Sequence, residues 1–301
     1  MRRARGALPL RHAVALGLLQ GPTELLPVSS SAHTTLLPWF AGWPYGELEA
    51  ELRKSFEVAL HTGAGLALAL AMRRELARDV SHADARRAAL LGLALAPPAL
   101  AGLALHRPIE RLLGGPRSIA AGLLLGGLAM AAADAMAGTD AMAGTDAMAG
   151  TDAIAGAERA PPTGSPSRAR SCAQAGPLDG LALGIAQAVA LVPGVSRSGA
   201  ALSAARWRGF ARVAAQRLSW AVALPVLAGA SLLQGVRLLR AGVPRRLRFA
   251  FAAGAASAFG STLASAALVR RRRLAERGLA PFAAYRVVLA TSVLVRARRA
   301  G

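Results

Sequence analysis

Cysteine is almost missing from this chain: Cys172 stands alone among 301 residues, which excludes an intramolecular disulfide and any cysteine-based metal cluster. Aromatic residues make up only 4% although 54% of the chain is hydrophobic, so the apolar content is mostly Ala, Leu, Val and Gly. With a mean hydropathy of +0.39, that mixture suits closely packed membrane helices better than a soluble core. Lysine is scarce as well; Lys54 is the only one among 36 basic residues, a bias of genomic composition rather than of chemistry. Acidic residues number 16, which leaves a formal charge of +20. In a soluble protein such an excess would point first to nucleic acid. Here Arg73, Arg74, Arg86 and Arg87 share one connection between apolar stretches and Arg270 to Arg273 share another, positions where arginine meets lipid phosphates. The expected partner is therefore membrane lipid and not nucleic acid.

Uncharged stretches run from Ala88 to Leu105, Ser118 to Ala133, Leu218 to Val236 and Phe249 to Val269. Each is close to the roughly 20 residues that span a bilayer. Two further spans carry ionisable groups: Phe56 to Met72 contains Glu57 and His61, and Leu279 to Val295 contains Arg286. The segment Met1 to Gln20, with Arg2, Arg3 and Arg5 before an apolar run, is superficially like a signal peptide, but no small-residue cleavage site follows.

The hexad AMAGTD occurs at 135–140, 141–146 and 147–152, and Asp134, Asp140, Asp146 and Asp152 recur with it. A charge every six residues leaves no helical face apolar and no strand alternation. Residues 134–177 thus read as a disordered low-complexity linker; the aspartates are too sparse for a calcium-binding repeat. The linker separates residues 1–133 from 178–301, and these halves resemble each other when displaced by 167 positions. Gly17, Gln20, Val28, Ser29 and Ser31 then coincide with Gly184, Gln187, Val195, Ser196 and Ser198. Internal similarity of this kind marks a duplicated membrane unit.

The leading segments Leu8 to Leu19 and Thr34 to Trp43 each cover only about half a bilayer at ~1.5 Å per residue, so they read as re-entrant. With three spans per half, the second unit is inverted relative to the first. The predicted fold is an all-α polytopic membrane protein, with six transmembrane helices and two re-entrant helix pairs arranged as an inverted repeat. Irregular backbone at membrane depth is tolerated where it lines a wet cavity, which makes the two turns the candidate site. Basic residues on the two sides come out nearly equal and do not orient the chain.

The first turn, QGPTELLPVSSSAH, places Gln20, Glu24, Ser29, Ser30, Ser31 and His33 within fourteen residues. Intramembrane carboxylate and imidazole groups are costly and functional by default. The second turn, PGVSRSG, offers Ser196, Arg197 and Ser198 between Gly194 and Gly199, whose bare backbone lets amides approach an anion while arginine forks onto phosphate oxygens. Blander roles exist for each residue alone: serines as packing contacts, Glu24 as a helix-end charge, His33 as an interfacial group, Arg197 as a snorkelling cation. Their joint occurrence on duplicated turns favours chemistry. A transporter flipping a polyprenyl phosphate is the main rival reading, because paired re-entrant turns also build transporters.

At these residues the chain resembles the undecaprenyl-diphosphatase family associated with bacitracin resistance. TELLPVSSSAH is similar to the family's first signature and PGVSRSGA to its second, while FEVALHTG (56–63) and PFAAYR (281–286) resemble two of its spans. The resemblance implies hydrolysis of undecaprenyl diphosphate, a polyprenyl diphosphate lipid, to the monophosphate carrier. It places the reaction in the bacterial inner membrane, with the site facing outward. It implies a divalent cation, Mg2+ or Ca2+, and leaves a homodimer open. Carried over by position, Glu24, Ser30, His33 and Arg197 match the family's functional residues, with Glu24 as metal ligand. Gln20, Ser29, Ser196, Ser198 and Gly199 are the expected substrate contacts. Gln20 stands where the family usually has a second glutamate, and Ala201 where it often has threonine. On this reading Ser30 is the nucleophile and His33 moves its proton; attack by metal-bound water is the alternative.

Overall fold

The computed structural model describes residues 8–74, 77, 84–136, 169–271 and 278–299. Their regular structure is helical: α1 (Leu10–Leu25), α2 (Ser30–Ala41), α3 (Ala50–Ala71), α4 (Ala85–Leu113), α5 (Pro116–Met136), α6 (Pro177–Val189), α7 (Arg197–Trp207), α8 (Arg212–Ala241), α9 (Arg245–Arg271) and α10 (Ala280–Arg299). By length and composition four stretches can cross a membrane: Ala85–Leu105, Pro116–Ala135, Arg245–Arg271 and Ala280–Arg299. Leu100, Leu103, Leu112 and Phe249 remain 67–76% exposed, and large apolar side chains turned outward in this way suit lipid rather than water. This is the make-up of a polytopic membrane protein.

Small residues let the helices approach closely, as expected where lipid gives apolar faces no reason to associate. Gly17 and Gly21 of α1 lie against Gly254 and Ser261 of α9, where an added Cβ would collide with backbone. Gly180 and Gly184 of α6 approach Leu90 and Leu93 of α4 in the same way. The first helix of each half therefore seats on a long helix of the other half.

The sequence pattern predicts a turn from about Gln20, but α1 runs through Pro22 to Leu25. Proline at this position strands the carbonyl one turn back, that of Leu18. Ser261 supplies the missing donor, its Oγ lying 2.5 Å from that oxygen. On α4, Pro98 likewise strands the Ala94 carbonyl, and Gln187 Nε2, from the second half, donates to it at 3.4 Å. Tertiary contacts thus offset the local cost of each proline, and the first turn shrinks to residues 26–29.

Helices α1 and α2 form a hairpin whose open end is closed by His12 stacked on Trp43, with ring centroids 3.9 Å apart. Helices α6 and α7 form a second, closed by Asp179, which accepts from Arg170 Nη2 and Arg208 Nε, each at 2.7 Å. The antiparallel pair α5 and α10 shows how the hairpins are opposed. From the tips, α2 runs toward the end where Arg296 lies 5.1 Å over Trp39, while α7 runs toward the end where Arg212 holds Asp134 at 3.0 Å. The two tips meet in between.

Residues 137–168, most of the expected linker, lie outside the described residues. Its flanks are both held by one short segment: Arg212 binds Asp134, and Arg170 exchanges backbone hydrogen bonds with Gly209 (2.8 Å) and Ala211 (3.0 Å). Because both flanks are held at the same place, removing residues 141–158 is expected to keep the hydrolysis that the family resemblance implies within a few-fold of wild type. Complete loss of activity in a stably expressed deletion variant would contradict this.

Candidate active site

The hairpin tips bring residues from both halves to one carboxylate. Glu24, on the last turn of α1, is 6% exposed. Its Oε1 is ion-paired with Arg197, the first residue of α7, and its Oε2 accepts from Ser30 Oγ at 2.7 Å and Gln20 Nε2 at 3.0 Å. His61 Nδ1, from the middle of α3, lies 3.3 Å from the same oxygen and 3.0 Å from Gln20 Nε2. Arg197 and His61 are 24% and 28% exposed, so the cluster is open on their side.

His33 does not meet Ser30. Its Nδ1 lies 2.8 Å from the Ser29 carbonyl, which can only accept, so this nitrogen carries the proton. Its Nε2 therefore accepts from the Tyr285 hydroxyl at 2.6 Å. Among the described residues Ser29 is the one non-glycine with positive φ, at 76°. Such a backbone costs about 1–3 kcal/mol and persists only where surroundings hold it. Here the His33 ring does so, and the Ser29 hydroxyl pairs with Ser31 at 3.3 Å.

The second turn repeats this pattern, with Ser196 and Ser198 hydroxyls 3.1 Å apart. Ser196 caps α7 by accepting from the Gly199 amide at 3.2 Å, so that amide serves the helix rather than an open site. Ser198 Oγ reaches across to the Leu26 carbonyl at 3.5 Å. Gly194, with φ 95°, fits a left-handed position where a Cβ would strike the Ile119 carbonyl. Helices α2 and α7 both begin here, which turns two positive helix ends toward the junction.

Arg286 ties the junction together from α10. Fully buried, it donates to the carbonyls of Pro27 (3.3 Å), Gly194 (2.9 Å), Gly122 (3.2 Å) and Leu123 (3.2 Å). One guanidinium thereby fastens both tips to α5. Gly126 leaves the room it needs, since a Cβ there would strike Nη2.

The sequence matches the family described as Bacitracin resistance protein BacA over residues 13–292. The chain belongs to that family. A relative from Geobacter sulfurreducens, named undecaprenyl-diphosphatase, is 35% identical over 95% of this chain and 98% of its own. Relatives of the same name from Geobacter metallireducens and Pelobacter propionicus are each 36% identical, covering 94% and 95% of this chain and 97% and 96% of theirs.

The divalent cation implied by the BacA resemblance finds a poor seat in these residues. Among the described residues no three His, Cys, Asp or Glu side chains converge. Glu24 is the carboxylate at the junction, and both its oxygens are engaged, one of them by a guanidinium. The structure brings Glu24, Ser30 and Arg197 into contact, and adds His61, Tyr285 and Arg286, to which the two turns alone gave no part. The signal for these three was present in FEVALHTG and PFAAYR, where ionisable or polar groups interrupt otherwise apolar spans.

Proposed function

We propose that this protein hydrolyses undecaprenyl diphosphate to undecaprenyl phosphate and inorganic phosphate, recycling the lipid carrier of cell-wall synthesis and so conferring bacitracin resistance. The observation that carries this reading is the 2.7 Å hydrogen bond from Ser30 to Glu24, made beside Arg197 at the junction of the two tips. A hydroxyl donating to a carboxylate next to a guanidinium is a nucleophile with its base and its phosphate clamp.

The diphosphate enters on the open side, and Arg197 shares its donors between Glu24 and the phosphate oxygens. Ser30 Oγ attacks the terminal phosphorus while its proton passes to Glu24. The bond from that phosphorus to the bridging oxygen breaks, and undecaprenyl phosphate departs with the electron pair. Water then attacks the phosphoserine, one of its protons passing to a phosphate oxygen, while Glu24 returns the stored proton to Ser30 Oγ as the Oγ–phosphorus bond breaks and inorganic phosphate leaves. The positive ends of α2 and α7 and the charge of Arg286 favour the anion throughout. His33 and Tyr285 hold the Ser29 turn that aims Ser30. No step runs through a cation.

In the membrane, α3, α4, α5, α8, α9 and α10 cross, while the α1–α2 and α6–α7 hairpins are re-entrant from opposite faces. This is supported by their opposed directions and by the internal repeat. The family resemblance supports a bacterial inner membrane with the site open to the outer side. Single cysteines introduced on either side of the Ala85–Leu105 span, within 73–84 and within 106–117, in a Cys172→Ser background are expected to label from opposite faces, since that span lies between them. Labelling of both from one face would contradict the arrangement.

Hydrolysis and lipid flipping separate cleanly in detergent, where there is no second leaflet. Purified protein is expected to release phosphate from undecaprenyl diphosphate, and Ser30→Ala is not. Lipid transfer in vesicles without phosphate release in detergent would make the protein a transporter.

A further inference from the structure

Gln20 is fully buried, and its Nε2 lies 3.0 Å from Glu24 Oε2 and 3.0 Å from His61 Nδ1, while those two atoms are 3.3 Å apart. An amide nitrogen brings two hydrogens, enough to serve both neighbours as acceptors. The opposite amide orientation would set a carbonyl oxygen against the carboxylate oxygen with no proton between them. The orientation with Nε2 at the junction is therefore the one that puts a proton toward both Glu24 Oε2 and His61 Nδ1, and it leaves Gln20 Oε1 buried without a partner.

The lone pairs of Glu24 Oε2 and His61 Nδ1 are the ones a divalent cation would need. Carboxylate oxygens bind Mg2+ at about 2.0–2.1 Å and Ca2+ at about 2.3–2.6 Å, and imidazole nitrogen joins them on softer divalent ions at about 2.0–2.1 Å. The Gln20 nitrogen stands where the two donors converge, and an amide N–H cannot act as a ligand. Glu24 Oε1 is held by Arg197, and Oε2 also takes the Ser30 proton at 2.7 Å. A carboxylate at position 20 would reverse the arrangement, giving two carboxylates and one imidazole around the same point.

We infer that Gln20 takes the place of a resident divalent cation in this protein, its carboxamide bridging Glu24 and His61, so that the protein by itself holds no metal at the junction. The inference concerns the same site as the diphosphatase reading, but its central measurement involves no substrate.

The probe is Mn2+, followed by electron paramagnetic resonance of the free ion, with purified full-length protein in detergent. Wild type is expected to show no saturable site. Gln20→Glu is expected to acquire one, at least about 10-fold tighter than any wild-type binding, which is the scale on which changes around a metal alter affinity. Adding His61→Ala to Gln20→Glu should remove most of that gain. A wild-type site that Glu24→Gln abolishes would overturn the inference, as would a folded Gln20→Glu protein that binds no better than wild type. If Gln20→Glu does not fold, wild type against Glu24→Gln decides alone: no Mn2+ site in wild type upholds the inference, and a Glu24-dependent site overturns it. Phosphate release by the same wild-type preparation keeps the two readings apart. Release together with a Glu24-dependent Mn2+ site rejects this inference and leaves the diphosphatase standing; no release and no Mn2+ site does the reverse.

Discussion

Arg197→Lys is expected to lower phosphate release by at least about 100-fold, the size of effect seen when one preorganised donor to a developing charge is lost. Lysine keeps the positive charge but not the planar fork. In the resting protein Arg197 already spends one nitrogen on Glu24, which is almost wholly buried. Binding a diphosphate while keeping that contact takes donors held at fixed angles to one another, and an ammonium on a flexible stem does not provide them. The variant should still reach the membrane folded, because the tips remain fastened by Arg286 through four carbonyls. Arg298→Lys, at an exposed position near the end of α10, is expected to be nearly silent, since attraction to headgroups needs only charge. Turnover assays on both variants at equal membrane content check the contrast. Near-normal turnover of Arg197→Lys would move the phosphate site elsewhere.

Glu24→Gln is expected to be at least as severe, with a loss of about 100- to 10,000-fold, the range over which positioned acid–base groups act. The substitution is nearly isosteric, so packing changes little. What disappears is the acceptor for the Ser30 proton and the counter-charge of Arg197. The carboxamide that replaces the carboxylate could still accept a hydrogen bond through its oxygen, but it could not take up a proton in the transition state. The effect should therefore fall on kcat rather than on KM, as expected for an interaction made only in the transition state. Steady-state kinetics resolve the two. A rise in KM with kcat unchanged would show that Glu24 only helps to bind the lipid.

The all-helical, apolar character of the chain could be read from the sequence, because it rests on local composition. Composition alone was enough to foresee membrane-length apolar helices over 88–105, 118–133 and 249–269, while 218–236 is not among the candidate spans and Ala280–Arg299, interrupted by Arg286, is. The extent of α1 was not legible. Pro22 reads locally as a breaker, and only Ser261, 243 residues beyond Leu18 and carried on α9, makes the helix tolerable by donating to the Leu18 carbonyl. The hydrogen-bond partner of Ser30 was not legible for a related reason. His33 follows Ser30 by three residues, one turn of helix, which invited a pairing. The strained Ser29 backbone instead draws His33 Nδ1 to its own carbonyl, and Tyr285, 252 residues away, takes Nε2. His61 and Arg286 enter the junction from α3 and α10, and no spacing rule within one turn of chain can foretell contacts made by separate helices.

The claim that both tips build a single site is tested most directly by a double-mutant cycle on phosphate release, using wild type, Glu24→Gln, Arg197→Lys and the double variant, all purified in the same detergent. Residues that act as a unit lose their effect together, so removing the second adds little once the first is gone. The account predicts that the double variant falls within a few-fold of the worse single variant. Losses that multiply would show Glu24 and Arg197 working at separate places, and the shared site would not exist.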